Sequence, residues 1–462
     1  MKYCLIIFLF VVALASCKKD SFITSPDASL STSRDSLFFD TVFTSIGSVT
    51  QSFKIYNNNN QKLNISQVKL AGGSASPFKI NIDGTPGPQL NNIEVNANDS
   101  LYIFVQVNVD PTSGTLPFIL SDSIQIDYNG NKRFVQLQAY GQNAHFLRNE
   151  TIRQFTVWNG SDLPFVILGG LRVDTGVILH LTAGVKVYFH ADAPLIVDGS
   201  LEVNATAINP TILSGDRTDA DYKNLPASWP GIIFRNASKK NWLIHATIKN
   251  AYQGIVSQGL SAVNPKVSLS QCVISNAYDA GILGVSTSIY ADNCLVSNCG
   301  SNINLVYGGD YRFVNCTVAS YGNFYVPHKT PVLQVADYIS QNNIIYTAPL
   351  NASFINSIFW GDFGSVDNEV LVEKKGPGPF SVLFDHVLYK SKTDPSFSTL
   401  NAVLKNIPPL FDSINTTKSI YDFHFTKSPN APAINAGIPT IFGRDLEDKV
   451  RDAQPDLGCY EK

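Results

Sequence analysis

The 462-residue sequence predicts an all-β protein in two parts, a sandwich of short strands followed by a long parallel β-solenoid. Three observations carry that prediction. Between residues 34 and 143, short segments of alternating apolar and polar residues recur at about ten-residue spacing. From about residue 166 the pattern becomes very short apolar runs punctuated by Gly and Asn, with no helical periodicity. Within that second stretch, one line of eight residues returns at a fixed interval, the sign of a stacked repeat.

In chain order, the first sixteen residues carry Lys2, an apolar run from Leu5 to Leu14, and the small pair Ala15-Ser16 before Cys17. The run is about half of the roughly twenty residues that cross a bilayer, so it reads as a secretory signal. Leu14-Ala15-Ser16-Cys17 resembles a bacterial lipobox, which implies cleavage before Cys17 and acylation of that cysteine. The competing reading is an ordinary signal and a soluble periplasmic product. Lys18-Lys19-Asp20 resembles the charged start of Bacteroidetes-type surface lipoproteins. These resemblances imply a signal over 1–16, a lipidated tether over 17–33, a membrane partner reached through the lipid, and a place on the cell outer membrane, exposed at the surface. Charged residues are 15% of the chain, the net charge is -3 and no basic block occurs, which excludes nucleic acid as a partner. Of seven cysteines, Cys4 lies in the signal and Cys17 at the anchor; the five that remain are an odd number, which argues against a disulfide framework.

The sandwich is placed over 34–143, on alternating segments at Leu37-Phe39, Phe53-Ile55, Leu63-Ile65, Phe78-Ile82, Tyr102-Val109, Ile124-Ile126 and Phe134-Leu137. Asn57 to Asn60, Gly72-Gly73, Asp83-Gly84 and Asn129-Gly130 between them suit tight turns. Phe39-Asp40-Thr41-Val42, Gly47, Ser52 to Asn57 and Asp110-Pro111 resemble the immunoglobulin-like modules of the abnormal-spindle type, which implies an immunoglobulin-like β-sandwich used as a spacer or adaptor.

The solenoid is placed over 144–462. Leu269 to Asn276, Ala291 to Asn298 and Phe313 to Ser320 align at offsets of 22, with weaker copies at Leu243 to Asn250, Phe354 to Phe359 and Leu383 to Leu388. A repeat of that size suits one coil of stacked strands spaced at about 4.8 Å. The column Asn293, Asn315, Asn356 asks for a left-handed turn residue at each coil, with side-chain amides stacked along the ladder. These lines, with Gly170 to Leu179, Ala183 to Phe189, Pro432 to Gly437 and Pro455 to Glu461, resemble the right-handed parallel β-helix of pectate-lyase-like proteins, opening and closing segments included.

Each candidate for chemistry has a plain structural competitor. Cys272, Cys294 and Cys316 form one column and read as a buried thiol stack, because in-register rungs hold Cβ atoms near 4.8 Å, beyond the roughly 3.8 Å of a disulfide. Seven scattered histidines lack zinc-site spacing. Asp216, Asp219 and Asp221 alternate as carboxylates that would cage a calcium ion, the one cofactor the sequence offers. A solvated loop ending in packed Trp229 is the competing reading, since the distal Glu of a calcium loop is absent. Asp445, Glu447 and Asp448 lie beside Arg444 and Arg451 and read as internal ion pairs. From Trp242 to Val335 the acids are Asp279, Asp292 and Asp310, and the carboxylate signatures of β-helix polygalacturonases and uronan epimerases are missing. The function expected is therefore a non-catalytic envelope lipoprotein that scaffolds, adheres or binds glycan, with a polysaccharide or another envelope protein as partner. The alternative is a polysaccharide lyase or glycoside hydrolase acting on extracellular glycans. For the glycan contacts the sequence nominates Tyr307, Asp310, Arg312, Tyr321 and Tyr325 on a shared edge, because aromatic faces stack on sugars. Tyrosines packing the turns, with Asp310 paired to Arg312, is the competing reading.

Overall fold

The computed structural model describes residues 21–43, 48, 50–108, 118–218 and 222–462. Cys17, Asp219 and Asp221 lie outside the described residues. The described chain is all-β, its one helical element there being the short 3-10 turn Gly73–Ala75. Its described residues form two compact units, one up to Ala144 together with Thr218 and one over 145–217 and from 222 onward.

In the first unit, period-two alternation turns every second side chain inward. Phe53 and Ile55, Leu63 and Ile65, and Ile103 and Val105 are all sealed from water. One sheet runs Phe22–Ile23, Lys62–Leu70, Phe118–Tyr128, Asn131–Gln142, Ser36–Phe43, with Gln89–Val95 also on Lys62–Leu70; the other runs Leu30–Thr32, Gln51–Asn57, Ser100–Val107, Phe78–Ile82, Thr85–Pro86. Their inner faces share one apolar cluster. The turns Asp83-Gly84 and Asn129-Gly130 take the positive φ expected of them. Residues 21–33 of the stretch read as a tether are instead part of this unit. Phe22–Ile23 pairs parallel with Lys62-Leu63, Leu30–Thr32 pairs antiparallel with 55–57, and Ala28 and Leu30 are buried. Strands this short, in a Ser/Thr/Asp-rich context, hold too few apolar residues to show a period. Gln89–Val95 was also unforeseen: it buries only Ile93 and Val95, with Leu90 partly buried against the core, and its polar Asn91-Asn92 interrupts the alternation.

In the second unit, 26 described strands form one continuous sheet whose pairings are all parallel. Successive rungs pass through three columns in a constant order. The first column stacks Ser200–Asn204, Asn241–Ile244 and Val267–Ser270 and continues through 287–292, 309–314, Leu350–Ile355 and Phe380–Asp385. The second stacks Ala246–Lys249, Val273–Ser275, Leu295–Ser297, Thr317–Ser320 and Ile358–Gly361. The third stacks Ile232–Phe234, Gln253–Gln258, 280–285, 301–306, Leu333–Ala336 and Val370–Glu373. Val296 faces Val318 and Leu295 faces Thr317, the 22-residue register read from the repeat. Inward side chains continue from rung to rung, as in the stacked rings Phe313, Phe354 and Phe384, 5.6 and 5.0 Å apart.

The turn between the first and second columns is left-handed at every rung from His245 on. His245, Gln271, Asn293, Asn315, Asn356, His386 and Ala402 all have φ between +48° and +53°. The asparagines announce this; His, Gln and Ala adopt it only because the rungs on either side impose it. The amide stack is realised once, Asn356 Nδ2 donating to Asn315 Oδ1 at 3.0 Å. Elsewhere the turn column serves the closing segment: Arg451 donates to Asn293 Oδ1 at 2.8 Å, Asn356 exchanges hydrogen bonds with Ile438, and Asn315 reaches Thr440. Cys272, Cys294 and Cys316 follow those turns as buried free thiols. The closing segment buries Phe423, Phe425, Leu446 and Leu457 against Leu295, Ala319, Ile358 and Leu388, the outward residues of the second column.

Candidate functional site

The five residues nominated for glycan contact divide between two places. Tyr307, Asp310 and Arg312 lie on strand Ser301–Val314, Tyr307 at its left-handed bend with φ +60°. Asp310 does not pair with Arg312. It accepts from Asn264 Nδ2 at 2.7 Å, Tyr290 hydroxyl at 2.9 Å and Asn351 Nδ2 at 2.8 Å, a staple across adjacent rungs. Partial burial pushes its carboxyl up, but those three donors outweigh burial and hold it below the ordinary range. Tyr321 and Tyr325 instead follow the second-column strand Thr317–Ser320. Tyr321 is only 6% exposed and packs against Phe363, Phe411 and Phe423, so it cannot serve as a sugar platform. Tyr325 is free to serve.

The loop carrying Tyr325 is built by asparagines. Asn323 Oδ1 accepts the N–H of Tyr325 and of Val326, at 2.8 and 2.7 Å, closing a tight turn. Its Nδ2 donates to Asn276 Oδ1 at 3.1 Å, and Asn276 in turn donates to Asn250 Oδ1 at 2.9 Å. Asn298 Oδ1 takes the N–H of Tyr321, while the Tyr421 hydroxyl ties down Gly322 O from the opposite side. A loop so held presents Phe324, 93% exposed, and Tyr325, 43% exposed, with ring centroids 5.3 Å apart and edge to face. Large apolar side chains in water on a fixed backbone are a standing contact surface.

These rings border a groove of about 600 Å³. One wall is the outer edge of the second column, with Lys249, Ser275 and Ser297 on successive rungs; the other comes from Thr416, Ser419 and Tyr421. An adjoining cavity of about 450 Å³ shares Asn323, Phe324, Thr416 and Thr417 and reaches Tyr321 and His328. Both volumes fall within the range of small-ligand sites. The lining is mostly hydroxyl, amide and aromatic, with Lys249 in the first and Lys329 and His328 in the second, and no carboxylate among the described lining residues.

Below the second cavity, His328 Nε2 meets Glu369 Oε1 at 2.8 Å, both side chains 1% exposed. His328 Nδ1 and Glu369 Oε2 have no protein partner. Gly361 makes the room: a Cβ there would lie 2.3 Å from both bonded atoms. The pair ties the aromatic loop to the third column. Forty-one residues separate its members, so no local spacing signals it.

Several other carboxylates are engaged within the scaffold. Asp216 bonds His190 Nδ1 at 2.7 Å, and burial raises its carboxyl more than His190 lowers it. Asp198 is held low by the guanidiniums of Arg235 and Arg172. Arg451 pairs with Glu461 at 3.1 Å rather than with Asp445, Glu447 or Asp448; Asp445 instead accepts backbone N–H groups of its own turn.

No family model matches this sequence, and no curated protein does. Among solved structures, the chain aligns weakly with a family 123 glycoside hydrolase from Clostridium perfringens: 10% identity, TM-score 0.18, covering 24% of this chain and 25% of that one. It aligns with the ASH/PapD-like domain 7 of human CEP192 at 12% identity and TM-score 0.17, covering 26% and 89%. It aligns with a Porphyromonas gingivalis protein of unknown function at 10% identity and TM-score 0.18, covering 27% and 59%. The chain thus spans about a quarter of the hydrolase, and similarities of this size carry no functional argument.

Proposed function

We propose that this protein is an outer-membrane lipoprotein, held by an acylated Cys17, that binds extracellular glycan without cleaving it. In this reading the first unit is an immunoglobulin-like spacer and the second a right-handed parallel β-helix. Two facing sheets around one core support the former, and parallel rungs that return through three columns, at 22-residue intervals in the best-repeated stretch, support the latter. One observation carries the functional step: the exposed Phe324–Tyr325 pair, on a loop fixed by side-chain amides, borders a groove rich in hydroxyl and amide groups. Aromatic faces take the apolar face of a pyranose, and hydroxyl and amide groups take its hydroxyls. Binding is favoured over catalysis because no described residue lining the groove or the adjoining cavity is a carboxylate, and Glu369 and Asp362 are paired with His328 and Lys390.

Glycan-array binding by the full chain tests the groove. Wild type is expected to bind, and a Phe324→Ala, Tyr325→Ala double variant with the same melting temperature to lose about tenfold or more in affinity. Equal binding by both removes the groove from the reading. For the anchor, radiolabelled palmitate is expected in wild type and not in Cys17→Ser; equal incorporation refutes acylation at Cys17.

A further inference from the structure

The groove leaves one charge uncompensated. Lys249 stands on its second-column wall, partly buried, and makes no side-chain hydrogen bond or ion pair among the described residues. Its burial, and then the neighbouring ammonium of Lys223, draw it below the ordinary lysine range. A second cation, Lys329, lines the adjoining cavity. An ammonium held partly out of water without a counter-ion is unfavourable, and an anion supplied by a ligand relieves it. The rest of the lining offers hydroxyls, amides and rings, which serve a sugar chain but do not neutralise a lysine.

We propose, resting on the glycan-binding reading above, that the groove selects glycans bearing acidic substituents, with Lys249 reading the negative charge and Phe324 and Tyr325 taking the sugar face. Lys249 and Ser275 are on successive rungs, and Asn323 bonds Asn276 beside Ser275, so the aromatic loop folds back to the rung next to the charge reader and both face the same groove. A uronate carboxylate and a sulfate ester supply the same charge.

The test is calorimetric titration of the full chain in detergent with polygalacturonate, chondroitin sulfate and neutral dextran, on wild type, Lys249→Met and Lys249→Arg. Binding of one or both acidic polymers is expected, with weakening at high salt and no dextran binding; which acidic polymer binds identifies the substituent. Lys249→Met should lose about tenfold or more in affinity, while Lys249→Arg retains binding. If the Met variant melts lower than wild type, Lys249→Gln replaces it. Dextran binding as tight as the acidic polymers, abolished in the Phe324→Ala, Tyr325→Ala variant, overturns the charge selection and leaves the glycan groove standing. Undiminished acidic binding by Lys249→Met overturns the role of Lys249. No binding of any polymer to wild type overturns both readings.

Discussion

Lys266 shows how a single residue departs from what its type predicts. It is fully buried, and its ammonium donates to the carbonyls of Arg235 at 2.8 Å, Gly259 at 3.3 Å and Gln258. It gathers three backbone oxygens from two adjacent rungs, as a bound cation would. Burial draws it down to about 8. The unfolded chain keeps the ordinary value near 10.4, so between about pH 8 and pH 10.4 the unfolded state holds more protons and stability rises with pH. Below about pH 8 the penalty of charging Lys266 in the fold is present in full, on the order of 3 kcal/mol. Denaturation from pH 7.5 to 10 is therefore expected to show wild type gaining stability relative to Lys266→Met, which lacks the titrating group. Parallel curves for the two proteins would contradict this assignment. Nothing in Asn264-Pro265-Lys266 announces a buried ammonium, because the oxygens that hold it come from two other rungs.

At the scale of one rung, the second column shows which features are local. Asn293 and Asn315 sit one rung apart in left-handed turns, and between them the chain builds Leu295–Ser297 against Thr317–Ser320. Val318 is sealed between Val296 and Phe359 of the neighbouring rungs. Val318→Ala removes two methyl groups from a stack that cannot close around the gap, and chemical denaturation should register a loss of about 1–3 kcal/mol. No measurable change would mean that the stack is loose at that rung. Asn293, Asn315 and Asn356 were legible because asparagine tolerates the conformation; His245, Gln271, His386 and Ala402 were not, because at those positions the ladder overrides residue preference.

Over the second unit as a whole, the closing segment is what completes the fold. The second column carries apolar residues on both faces, with Leu295, Ala319, Ile358 and Leu388 pointing outward. Phe423, Phe425, Leu446, Leu457 and Cys459 cover them, and Arg451 locks the cover through Asn293 and the buried Glu461. Ending the chain after residue 427 would strip Leu446, Leu457 and Cys459 from that outer face and leave Asn293 without its guanidinium. The shortened protein is expected to bind 1-anilinonaphthalene-8-sulfonate and to aggregate where the full chain does not. A monomeric shortened form with unchanged dye binding would show the cover to be dispensable.

What the sequence by itself determined was whatever repeats or alternates locally. Period-two patterns marked most strands of the first unit, and the 22-residue interval placed Val296 on Val318 before any coordinates did. The aromatic loop was also legible as a lengthened connection, and Tyr325 was among the residues it offered. What only the tertiary structure decided was which side chains remain free. Tyr321 lost its candidacy to three aromatic neighbours brought from residues 363, 411 and 423, Asp310 was consumed by donors from three rungs, and Phe324 gained prominence because nothing covers it. The reason is physical: strand and turn preferences are set by a residue and its immediate neighbours, whereas exposure and charge compensation depend on atoms a rung or a whole segment away.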